Sequence, residues 1–175
     1  MNHDTYSDVH IRDILSSVKT IAIVGASANI VRPSYFVLQY LIAKGFEVYP
    51  VNPGHAGKTI LGRPVYGKLE DVPVALDMVD IFRSSEMAGP VTDMALTLQP
   101  LPKVIWMQLS VRNDAAAERA EAMGVEVIMD RCPKIEYGRL SGEISWNGVN
   151  SRTISARKPQ LRHGFQHLQL VPEKK

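Results

Sequence analysis

The sequence predicts an α/β fold of the doubly wound kind, a mostly parallel sheet of five or six strands with helices on both faces. Three observations carry this prediction. Short β-branched runs alternate along the chain with segments of helical spacing, the pattern of a sheet built from strand–helix–strand crossovers. Glycine, proline or a capping residue stands at the junctions between them. The composition, 45% hydrophobic and 22% charged over 175 residues, is that of an ordinary globular domain large enough to bury its own core.

The elements follow in order. DVHIRDILSSV (8–18) sets Val9, Ile11, Ile14, Leu15 and Val18 near helical spacing, giving a first helix. TIAIVGAS (20–27) is a buried strand that stops at Gly25. Pro33 opens a second helix, where its missing N–H costs nothing, with Tyr35, Leu38, Leu41 and Ile42 on one stripe and Gly45 as the stop. FEVYPVNP (46–53) is the second strand, and 54–68 is a Gly-rich connection with only short local structure. ALDMVDIFRSS (75–85) supplies the third strand and 86–98 a helix. KVIWMQL (103–109) is the fourth strand, with Trp106 and Met107 in the core. Asn113 and Asp114 precede the Ala-rich helix AAAERAEAM, which Gly124 closes, and VEVIMD (125–130) is the fifth strand. CPKIEYGRL is a last short helix. Residues 1–140 are expected to form one domain and 141–175 a basic, partly packed extension.

The charge is asymmetric. The overall balance is +2, yet six basic residues (Arg152, Arg157, Lys158, Arg162, Lys174, Lys175) face only Glu143 and Glu173 in the last 35 residues. That tail lacks interleaved aromatics and matches no nucleic-acid motif, so it reads as a solvated extension. One cysteine, Cys132, excludes an internal disulfide framework. With no apolar run of membrane length and no signal peptide, a cytoplasmic location is expected.

In doubly wound sheets ligands bind at the carboxyl ends of the strands. At the first, Gly25-Ala26-Ser27 leads to Arg32-Pro33-Ser34. A strand ending in glycine and feeding a helix aims free N–H groups outward, where an anion is stabilised. Ser27 and Ser34 add hydroxyls and Arg32 a charge-assisted partner for phosphate. The G-x-G-x-x-G spacing is absent. At the second, Val51-Asn52-Pro53 carries no acid where NAD-binding domains place one for the ribose; His55, Lys58 and Arg63 follow instead. This disfavours NAD and suits a nucleotide with an extra ribose phosphate, a property of coenzyme A and of NADP. At the others stand Arg83 and Ser84, then Gln108, Arg112 and Asn113, then Asp130-Arg131-Cys132. Ser84 or Ser85 also suits a helix cap.

Together, GASANIVRPS, VNPGHAGKTILGRPVYGKLEDVP, DIFRSSE, WMQLSVRN, MDRCPKIEYGRL and the late WNGVN resemble the bacterial stand-alone CoA-binding domain family, itself similar to the N-terminal domain of the succinyl-CoA synthetase alpha subunit. The resemblance implies a Rossmann-like domain that binds coenzyme A or an acyl-CoA. It implies that Gly25, Ala26, Ser27 and Arg32 hold the pyrophosphate and that Val51, Asn52 and Pro53 flank the adenosine, with Lys58 near its phosphates. Arg83 and Ser84 would border the adenine or pantetheine side, and Gln108 to Asn113 would line the pantetheine channel. The synthetase's Asn-Cys-Pro-Gly is only partly matched by Asp130-Arg131-Cys132-Pro133, and the glycine turn is richer in Arg and Pro.

No catalytic constellation accompanies these residues. The five histidines lie in terminal regions or the open loop, and no nucleophile elbow, P-loop or paired-carboxylate signature is present. Cys132, between Arg131 and Lys134, is the one side chain with latent reactivity, since neighbouring cations lower a thiol pKa; the other reading is a buried, inert cysteine. Two functions stand: a non-catalytic CoA-binding module, or an enzyme subunit using NADP or acyl-CoA with a partner chain completing its site. A homodimer through an edge strand or the tail is compatible with either.

Overall fold

The computed structural model describes residues 2–142; the rest of the basic extension, with WNGVN, His163 and His167, lies outside the described residues. The chain opens with α1 (Asp8–Ser17), which Ser7 caps by accepting from His10 N–H, and enters β1 (Thr20–Val24). After α2 (Pro33–Ala43) and β2 (Glu47–Val51) comes a two-stranded hairpin of β3 (Thr59–Ile60) and β4 (Arg63–Pro64). Then β5 (Met78–Ile81), α3 (Ser85–Ala95), β6 (Val104–Met107), α4 (Asp114–Ala122), β7 (Glu126–Ile128) and α5 (Pro133–Leu140) alternate.

The main sheet has five strands in the order β2-β1-β5-β6-β7, every pair parallel. From β1 the chain crosses outward to β2, then returns past β1 to β5, so the direction of winding reverses between β1 and β5. Such a reversal splays the following loops apart and opens a crevice above the strand ends. The segment joining β2 to β5 has no α-helix: two 3₁₀ turns, Pro53–His55 and Leu69–Asp71, flank the hairpin. Buried Leu69, Val72 and Leu76 from this segment cover the sheet where a helix would otherwise lie.

Strand alternation separates two cores. Ile21, Ile23, Met78, Val104, Trp106 and Ile128 face α1, α2 and α5. Ala22, Val24, Val79, Ile81, Ile105, Met107 and Val127 face α3 and α4. Trp106 and Met107 are fully buried, as the sequence indicates. Two expectations shift. The buried stripe of α2 is Ser34, Val37, Leu38 and Leu41, so Leu38 and Leu41 are buried as expected while Tyr35 and Ile42 are only half-buried, and Val9 of α1 is exposed. An N-terminal Pro33 sets the helical phase of α2, and the i, i+3, i+4, i+7 set beginning at Ser34 meets the sheet. The third strand is shorter than 75–85, because both of its ends are used for other bonds.

At the amino end, Asp77 accepts from the N–H groups of Lys19 (2.8 Å) and Thr20 (3.1 Å) and pairs with Lys103 Nζ at 2.9 Å. Burial alone would raise its pKa, but the lysine and the two backbone donors outweigh it and hold the group at about 2. Both lateral edges carry partners. Tyr66 exchanges backbone bonds with the β2 end (Asn52 N–H to Tyr66 O and Tyr66 N–H to Pro50 O, both 2.9 Å). Beyond β7, the Tyr6 hydroxyl accepts from Met129 N–H at 2.8 Å.

A cleft at the carboxyl edge of the sheet

The close packing of the first two turns begins with Gly25. Its φ of +91° suits glycine, its N–H donates to Val51 O at 2.9 Å, and a β-carbon there would stand 2.4 Å from Phe82 O. The end of β1 is thereby pressed against the end of β5. Asn52 ties in the second turn: its amide donates to Ala26 O at 2.7 Å and its side-chain oxygen accepts from Gly54 N–H at 3.0 Å. Ser27 Oγ accepts from Asn29 N–H at 3.1 Å, which shapes the loop into α2.

Past these turns the strand ends enclose a cleft of about 670 Å³. Val31, Pro33, Phe36 and Val37 from the start of α2 form one wall, and Lys134 and Ile135 of α5 with Cys132 form another. Phe82, Arg83 and Ser84 after β5, and Gln108, Leu109 and Val111 after β6, complete it. Most of the lining is apolar, while the rim is cationic. Arg32 and Arg83 are exposed, as is Lys58 beyond β2, and among the described residues none of the three forms an ion pair. Lys134 Nζ lies 5.8 Å from the centroids of both the Phe36 and Tyr40 rings, a cation–π distance.

Two polar side chains sit inside this apolar setting. Asp80, in the middle of β5, has no exposed surface, and Gln108 is only 6% exposed. Gln108 Nε2 donates to both carboxyl oxygens of Asp80, at 2.9 and 3.1 Å. Removal from water drives the Asp80 pKa up to about 8, with the Gln108 bond opposing the rise. Cys132, the N-cap of α5, is 7% exposed, and burial pushes its thiol up as well. Of the two readings of Cys132 from sequence, the buried cysteine is the one the structure shows, and the thiol lowered by flanking cations is not. Desolvation dominates, and the Arg131 guanidinium turns instead to the Tyr6 ring, 5.3 Å from its centroid.

Of the residues singled out from sequence, Pro33, Arg83, Ser84, Gln108 and Cys132 line one cleft. Gly25, Ala26, Ser27, Arg32 and Ser34 build the turn and helix start at its side, and Val51, Asn52, Pro53 and Lys58 lie at the end of β2. Ser84 also caps α3, accepting from Met87 N–H at 3.4 Å. Arg112 and Asn113 are engaged elsewhere. Arg112 is bound to Asp4 and Asp114, and Asn113 caps α4 while its amide donates to Ser85 O at 3.0 Å. Sequence reasoning missed Phe36, Lys134 and Asp80. For Asp80 a signal existed, a lone acid inside the apolar run MVDIF.

A doubly wound sheet with a glycine-tight first turn, an apolar cleft and a cationic rim defines a Rossmann-like nucleotide-binding domain. The model of the CoA binding domain family matches residues 19–138, and the chain belongs to that family. It is 32% identical over 131 residues to the uncharacterized protein YneT of Bacillus subtilis (strain 168), covering 75% of this chain and 94% of that one. Among solved structures it is similar to a hypothetical protein from Pyrococcus horikoshii OT3, with 34% identity and a TM-score of 0.75 over 81% of this chain and 97% of the other. It also resembles the dinucleotide-forming acetyl-coenzyme A synthetase 1 of Ca. Korarchaeum cryptofilum, with 25% identity and a TM-score of 0.53 over 62% of this chain and 25% of that one.

Proposed function

We propose that this domain binds coenzyme A or an acyl-CoA in the carboxyl-edge cleft and performs no chemistry on it. The observation that carries this reading is the pairing of an apolar cleft with cations that have no ion pair among the described residues, at one edge of the sheet. Coenzyme A has matching parts: a long, weakly polar pantetheine arm, a pyrophosphate, and a ribose bearing a further phosphate. The arm suits the channel between Phe36, Phe82, Gln108 and Ile135. The pyrophosphate suits the turn of Gly25, Ala26 and Ser27, with Arg32 as its counter-charge. Val51, Asn52, Pro53 and Lys58 are assigned the adenosine and its phosphates. Arg112 and Asn113 act by holding the channel wall, since their polar atoms already have partners. A cytoplasmic setting, where this cofactor is abundant, fits; among the described residues no helix is long and apolar enough to cross a membrane.

A second reading has one observation behind it. The chain is similar to a quarter of a protein named as a dinucleotide-forming acetyl-coenzyme A synthetase, so an enzyme subunit using NADP or acyl-CoA, with a partner chain supplying the remaining machinery, is the alternative. Calorimetric titration with CoA, acetyl-CoA, NADP and NAD, wild type beside Arg32→Ala, decides the ligand. The expected result is CoA binding that weakens about ten- to a hundredfold in the variant, the cost of one charge-assisted hydrogen bond. Tighter binding of NADP overturns the CoA assignment. Turnover of acetyl-CoA by the pure protein overturns the non-catalytic part.

A further inference from the structure

The Asp80–Gln108 pair has no structural need to exist. Asp80 occupies the central strand, in register with Ile23 on β1 and Trp106 on β6, and shares their face of the sheet. An apolar residue there would bury more comfortably than a carboxyl, because one hydrogen-bonding partner does not repay full desolvation. Gln108, at the end of β6, lines the cleft. Its Nε2 is turned onto the carboxyl of Asp80, and among the described residues its Oε1 has no hydrogen-bonding partner. Oε1 is nevertheless not sealed in, since it keeps accessible surface toward the cleft that Gln108 lines. The carboxamide oxygen is thus a lone acceptor reaching the cleft from a side chain that is otherwise more than nine-tenths buried.

We propose that Gln108 recognises an amide of the pantetheine arm, and that Asp80 is a positioning residue deciding which end of the Gln108 carboxamide the ligand meets. This rests on the functional reading above and adds a contact to it. With Asp80 ionised, the NH₂ group is held by the carboxylate and the carbonyl faces the cleft, selecting an N–H donor. With Asp80 protonated, its O–H is a donor aimed at the Gln108 carboxamide, whose oxygen can accept it. The amide then turns over and offers N–H to the cleft, selecting a carbonyl. A pantetheine arm carries both groups in each of its amides, whereas the nucleotide end of the cofactor has no part in the exchange. The other titratable and charged groups facing this part of the cleft are Cys132 and Lys134 of α5 and Arg83 after β5.

The test compares CoA with 3′-phospho-ADP, the fragment that lacks the pantetheine arm, by calorimetry from pH 6.5 to 9. Wild type, Asp80→Asn and Gln108→Met are used, each confirmed folded by circular dichroism and thermal unfolding. Asp80→Asn is nearly isosteric and tolerates the site whatever the fate of Gln108→Met. The readout is the ratio of the two affinities in wild type relative to the same ratio in Asp80→Asn, a comparison in which the 3′-phosphate cancels and so does the extra ionisation of the fragment's terminal phosphate. Wild type is expected to depart several-fold from the Asp80→Asn profile across the range. Gln108→Met is expected to lower CoA affinity roughly three- to tenfold more than that of the fragment, the yield of one neutral hydrogen bond. A ratio that both variants leave at the wild-type value and profile overturns the proposal while leaving CoA binding intact. A wild-type protein that does not bind CoA at all overturns the functional reading and the proposal with it.

Discussion

Asp77 and Asp80 lie three residues apart, one just before β5 and the other inside it, and their surroundings push them in opposite directions. Asp77, at the amino edge, is held at about 2 by Lys103 and two backbone donors. Asp80, toward the carboxyl edge, is driven up to about 8 by loss of water with one neutral amide for company. The amino edge is built to be closed, since its charges find partners within the protein. Among the described residues, the carboxyl edge leaves Arg32, Lys58 and Arg83 without ion pairs and a polar group short of a partner. A fold spends its electrostatics on itself at one edge and keeps them available for something else at the other.

Four variants press on this contrast. The largest effect is expected from Gly25→Ala, where the added methyl meets Phe82 O in a left-handed backbone conformation. Strain and displacement should cost about 3 kcal/mol in urea unfolding and break the carboxyl edge itself. Next is Asp80→Asn. A carboxyl whose folded pKa is raised binds more protons folded than unfolded, so it destabilises the fold progressively as pH rises from about 4 to about 8. The variant should flatten that decline and be about 2 kcal/mol more stable than wild type at pH 9. Asp77→Ala should act with the opposite sign. Its depressed pKa contributes stability that is complete above about pH 4 and lost as pH falls toward 2. Its removal should therefore cost about 1–2 kcal/mol at neutral pH, discounted for its partial exposure, and nothing near pH 2. The smallest effect is expected at Arg119→Ala, which breaks an exposed bidentate pair with Asp93 on the α3–α4 face. Thermal unfolding should register less than about 0.5 kcal/mol.

Much of the fold was legible because hydrophobic periodicity and punctuation agree. Gly25, Pro33, Asn113 and Gly124 mark boundaries that the structure respects to within a residue or two. The absence of a helix between β2 and β5 followed from a Gly-rich stretch with no helical stripe. The phase of α2 was misread because two faces of that helix are nearly as apolar as each other, and only tertiary packing chooses Val37 over Ile42. At the site, sequence located the strand ends but not the state of the side chains there. That Arg112 is spoken for by Asp4 depends on a residue 108 positions away, which no local motif encodes. The thiol of Cys132 is likewise governed by burial, a property of the assembled core rather than of its neighbours in the chain.

The partners found by the two outer strands bear on how the protein keeps company with itself. An unoccupied strand margin is a template on which another chain can add, the usual route to sheet extension and aggregation. Here Tyr66 occupies part of the β2 margin and Tyr6 takes a backbone donor just past β7. Continuous addition of a foreign strand is thereby obstructed where these two residues sit. The few residues before α1 consequently act as a stopper as much as a lead-in. Deleting residues 2–6 should leave the cleft in place but make the protein cloud on warming, with light scattering as the measure.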